Sequence, residues 1–181
     1  MERPKSLEHS NILWYIFPPM LLIPLIIIPP DFTTSVLWLI GGFLALVSAI
    51  KILISLAQKY LYRKSLGKRF IRQILTIGIF LIAILSLNVS ISNARSEAHS
   101  EAKEIFAQYN GSYPSTLKSW ETSVVGKVGS KKYVGWPAKF YLRYQSIDNG
   151  SDFTLSLHIN IDSTYIYYPK NGAVSEVHHC C

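Results

Sequence analysis

The sequence predicts a membrane α-helical protein with three transmembrane helices, followed by an α+β extracytoplasmic domain in which the long third helix packs on a small antiparallel sheet. Three observations lead there. Nearly all long apolar runs lie within residues 1–94; Lys and Arg gather beside those runs; and beyond residue 139 the apolar residues alternate with period two. A run of about 20 apolar residues, at roughly 1.5 Å of rise each, is enough helix to cross about 30 Å of hydrocarbon.

The first predicted span covers about residues 12–28. Arg3 and Lys5 precede it, so a secretory signal peptide is the competing reading. No small-residue cleavage site follows, and Pro18, Pro19 and Pro24 interrupt the apolar run, which favours a retained and bent span. The second span covers about 35–57 after the breaker Pro29-Pro30-Asp31. It carries Gly41, Ala45 and Ala49 at four-residue spacing, a small-residue pattern that lets helix backbones approach closely. Lys51 lies inside this span about two turns from its end, where its long side chain can reach headgroups.

The loop 58–69 holds Lys59, Arg63, Lys64, Lys68 and Arg69 without an acid. The positive-inside rule places it, and the N-terminus, in the cytoplasm, and sends the C-terminal domain to the periplasm or another extracytoplasmic space. The expected location is the cell's inner (plasma) membrane. Residues 1–69 thus form two spans and a cytoplasmic loop, 70–109 the third helix, and 110–181 the extracytoplasmic β domain.

The net charge of +7 has the same division. Residues 1–94 hold nine Lys or Arg against three acids, and residues 95–181 nine against eight. Topology and anionic lipid explain the excess, so nucleic acid is set aside as a partner and membrane lipid is expected.

Helical periodicity continues past the third span through Ile91, Ala94, Ala98, Ala102, Ile105, Phe106 and Tyr109, until Asn110-Gly111 gives a stop signal. Ser86, Ser90, Ala94, Ala98 and Ala102 form a row of small residues four apart. They are candidates for helix packing, or simply good and tolerated helix formers.

Strands follow. Phe140, Leu142 and Tyr144 alternate with Tyr141, Arg143 and Gln145, and Phe153, Leu155, Leu157, Ile159 and Ile161 share a face. Asp148-Asn149-Gly150 and Pro169-Lys170-Asn171-Gly172 supply turns. The expected sheet has three or four strands, with its apolar face covered by the stalk helix.

The stretch Tyr109, Gly111, Tyr113, Pro114 and Leu117, read with Ala102 and Ile105, resembles the type IV pilins and type II secretion pseudopilins over about residues 75–177. The resemblance implies a pilin-like domain. Two spans precede the helix, and no acid lies between Phe70 and Arg95, so the leader processing and fibre assembly of that family are not implied.

Candidate chemistry is sparse. His178-His179-Cys180-Cys181 is the one run suited to zinc or copper, but four consecutive residues on an extended tail point in alternate directions, so no metal or cofactor is assigned. His99 and His158 read as solvated. No nucleophile–base constellation, phosphate loop or H-E-x-x-H motif occurs, and the chain is read as no enzyme. Lys131, Lys132, Tyr133, Trp136, Lys139, Tyr141 and Arg143, with Lys127 nearby, form the candidate contact patch. The expected function is non-enzymatic, an interaction domain accessory to an envelope, secretion or pilus system, with another envelope protein or a second copy as partner. A ligand or metal sensor or carrier, or an immunity-type membrane protein, is the alternative.

Overall fold

In the structure, a computed structural model, residues 20, 22–28, 35–62, 68–123, 129–160, 163–170 and 173–180 are described. Two helices there are long and apolar enough to cross a membrane, which corrects the expectation of three. They are α1, Ser35–Tyr62, and α2, Lys68–Tyr109. Most of the expected first span lies outside the described residues. Its described part is a 3₁₀ turn at Ile23–Ile26, held by Leu25 N–H to Leu22 O and Ile27 N–H to Pro24 O, both 3.1 Å. Pro24, the second residue of this turn, has no N–H and a fixed φ, which suits the start of a short tight turn better than a helix interior.

The chain divides into two compact units, one ending at Ser86 and the other beginning at Leu87. In the first, Leu22, Leu25 and Ala83 are buried, with Ile26, Trp38, Leu44, Ile79 and Phe80 packed around them. Gly41 lies at this contact: a Cβ there would stand 2.9 Å from Leu25 and 3.1 Å from Phe80. Ser86 Oγ donates to Ile26 O at 2.7 Å, and Trp38 Nε1 donates to Ile28 O at 3.4 Å. Ala45 and Ala49 are half-buried. Most other large side chains of α1 remain exposed, as expected of a surface made for lipid.

The second unit holds a six-stranded antiparallel sheet in the order of the chain: β1 Glu121–Ser123, β2 Gly129–Val134, β3 Phe140–Ile147, β4 Asp152–Asn160, β5 Ser163–Lys170 and β6 Ala173–Cys180. This open, uncurled meander replaces the predicted sheet of three or four strands and overturns the pilin-type architecture. The strands missed in the sequence, such as Gly129–Val134 with its two lysines, have weak alternation of their own. They are strands because an alternating neighbour offers them a ladder, with Lys132 opposite Leu142 and Val134 opposite Phe140.

Cross-strand partners share a face, so the registers divide the sheet cleanly. Phe140, Leu142, Tyr144, Phe153, Leu155, Leu157 and Tyr167 point inward and share one core with Ala94, Ala98, Ala102 and Ile105 of α2. Each of those three alanines is fully buried, because only a methyl fits between helix and strands at this approach. Past Gly111, at φ +93°, Tyr113 packs its ring on Phe153 at 4.8 Å, and Leu117 N–H donates to Ser130 Oγ at 2.7 Å. These contacts lead the chain from the helix end across the sheet to β1.

Candidate functional site: the outer sheet face

The face turned away from α2 is built by the odd positions of β2 and β3 and the even positions of β4 and β5. Lys131 lies opposite Arg143, Tyr133 opposite Tyr141, and Tyr141 opposite His158, which in turn faces Thr164. The rings form a row: Tyr133 to Tyr141 at 6.1 Å edge-on, and Tyr141 to His158 at 6.0 Å. Thr164 Oγ1 lies 3.3 Å from His158 Nδ1.

Partial desolvation, and then the Arg143 charge, hold the His158 imidazole below its ordinary value. Lys131 is tied to Glu121 across β1 at 3.2 Å, and that carboxylate raises its ammonium above the ordinary range. Both partners are solvated, so this pair adds little to stability.

The predicted patch is therefore split by the pleat. Lys131, Tyr133, Tyr141 and Arg143 come together on the outer face. Lys132, one residue on, points inward, pairs with Glu101 of α2 and lies 5.7 Å above the Trp120 ring. Trp136 and Lys139 are on the turn after β2, both exposed. Lys127 lies outside the described residues.

The row of small residues on α2 is likewise divided. Ser90, Ala94, Ala98 and Ala102 are fully buried under the sheet, whereas Ser86 bonds to the 3₁₀ turn of the first unit. It is used within the chain.

Sequence reasoning missed a cleft of about 370 Å³ where α2 meets β6, lined by Asn88, Ile91, Ser92, Arg95, Ser96, His99 and Glu176. The Arg95 guanidinium is held 2.5 Å from Glu176 and 4.4 Å over the Tyr165 ring, which stacks on His178 at 4.4 Å. His99 packs 6.0 Å from Tyr167, half-buried rather than solvated. Nothing in the spacing of these residues signals the cleft, because it exists only through the pairing of β5 and β6.

The C-terminal run does not converge. His178 lies on the inner face against Tyr165, and His179 faces outward opposite Thr164. The Cys180 side chain and Cys181 lie outside what is described. Among the described residues no group of three or more His, Cys, Asp or Glu could hold a metal ion.

No known protein family, no curated protein and no solved structure matches the chain. What the chain itself establishes is a membrane-associated protein with two apolar helices and a separate β-sheet domain.

Proposed function

We propose that this protein is a non-enzymatic, membrane-anchored interaction module whose sheet domain lies outside the cytoplasm and binds another envelope protein. The observation that carries the reading is the row Tyr133, Tyr141 and His158 beside Arg143, on the sheet face that the protein's own helix leaves uncovered. Tyrosine and arginine combine broad apolar contact with polar reach, and such residues dominate binding energy at protein interfaces. The basic groups favour an acidic patch on the partner, which steers encounter and fixes orientation.

Orientation follows from charge. Lys59 lies in the last turn of α1, and Arg69 and Arg72 in the first turns of α2, with no acid among the described residues between Tyr60 and Arg95. That cluster belongs on the cytoplasmic side, and the opposite end of α2 carries the sheet.

A photoreactive amino acid placed at Tyr141 in intact cells tests the reading. The expected product is a discrete protein adduct that weakens when Arg143→Glu is introduced. Adducts to lipid alone would sink it.

A further inference from the structure

The turn joining β2 to β3 is fastened along α2 by three hydrogen bonds. Gly135 N–H donates to Glu97 Oε2 at 3.2 Å, Asn93 Nδ2 donates to Trp136 O at 3.0 Å, and Ala138 N–H donates to Ser90 Oγ at 3.0 Å. Gly135 and Ala138 are buried, so the backbone of this turn is fixed at one height on the helix. Its side chains are not withdrawn with it. Trp136 is 70% exposed, and from Ser90 onward Tyr133 and Trp136 are the only large hydrophobic side chains left exposed among the described residues. Lys139 is exposed on the same turn.

The height matters because α2 has its own measure of the bilayer. Between Arg72 and Arg95 the helix carries no charged residue. At 1.5 Å per residue that uncharged run amounts to about 33 Å of helix, close to the roughly 30 Å of a hydrocarbon core, and Asn93 lies at its C-terminal end. Trp136, tied to Asn93, is therefore level with the end of that run, where lipid tails would give way to headgroups in a bilayer that α2 crosses. Tryptophan and tyrosine concentrate at that level, since a ring with one polar edge suits a boundary between oil and water, and lysine can extend to phosphates there.

We infer that the Gly135–Lys139 turn is a membrane foot. Trp136 seats in the headgroup boundary of the bilayer that α2 crosses, and Lys139 reaches lipid phosphates. The far end of the sheet is held away from the foot: Tyr113, beyond the end of α2, donates its N–H to Gly150 O at 2.7 Å in the turn between β3 and β4. The strands thus run along this part of α2, from the foot toward Tyr113. This goes beyond the proposed function and does not depend on it, since the foot contacts lipid whether or not Tyr141 contacts a protein.

The test uses the full chain reconstituted in vesicles of phosphatidylcholine and phosphatidylglycerol. The difference in tryptophan emission between the parent and Trp136→Phe isolates Trp136 from Trp14, Trp38 and Trp120. Matching thermal unfolding by circular dichroism shows that the exposed substitution leaves the fold intact. The expected difference signal is quenched by lipids brominated near the top of the acyl chain and is severalfold less open to aqueous iodide than free tryptophan. Full access to iodide would overturn the foot. Shielding from both quenchers would also overturn it, and would assign Trp136 to a protein contact instead.

Discussion

Gly135 has φ +94°, and a Cβ added there would come within 2.9 Å of Ala138 O and 3.1 Å of Ala94 Cβ and Ser90 O. Both the backbone conformation and the space exclude a side chain. Gly135→Ala is expected to cost about 1–3 kcal/mol, read as a lowered unfolding midpoint of the sheet in detergent; an unchanged midpoint would show that the turn is not seated on the helix. Burial pushes the phenols of Tyr144 and Tyr167 up to about 12, and Tyr144 donates to Pro114 O at 2.6 Å. Unfolded, each ionises near 10, so the unfolded chain loses these protons first. The stability linked to both is complete below pH 10 and is lost as pH rises toward 12, which an unfolding series across that window measures. At His158 the folded value lies below 6.5, so its contribution is complete above 6.5 and shrinks as pH falls through the lowered value. Removing the charge in Arg143→Gln should move the imidazole only partway back in an NMR titration, because desolvation is the larger cause. At this scale the sequence was legible where alternation is strong, as at Phe140, Leu142 and Tyr144. It was not at Lys131 and Lys132, where only the pleat decides which lysine meets solvent and which meets Glu101.

Helix α2 shows what an element adds. Its alanines at 94, 98 and 102 advance around the helix, yet all are buried, because the sheet they lie under is broad enough to follow them. Proline at Ala98 would remove a backbone hydrogen bond and push its ring toward residue 94, at a cost of about 3 kcal/mol or more. Ala98→Pro should therefore lower the melting of the sheet as well as that of the helix, seen as loss of near-ultraviolet circular dichroism. Melting that did not change would separate helix from sheet. The helix stop at Asn110-Gly111 was readable from residue type, since both take positive φ, +40° and +93°. The small-residue row was readable only as residues that either pack closely or simply favour helix. That its partner is the chain's own sheet was not, because a row of methyls carries no label for what covers it.

For the whole molecule, orientation makes the broadest prediction. In a chain with Cys180 and Cys181 replaced by serine, Ser151→Cys in the β3–β4 turn should react with an impermeant maleimide in intact cells. Tyr60→Cys, at the basic end of α1, should react only after lysis. The reverse pattern would turn the protein over. The sequence by itself determined which segments could face lipid, where the basic end of each helix lies, and which strands alternate, since hydropathy and charge act locally and are carried by residue type. Only the tertiary structure decided the rest. It gave two candidate spans among the described residues in place of three, and six strands in place of three or four. It also placed Lys132 under the sheet, drew Arg95, Glu176 and Tyr165 into one cleft, and set Trp136 level with Asn93. Those outcomes depend on strand register and on which helical turn each loop meets. Both are fixed by packing between residues far apart in the chain, and no local pattern encodes them.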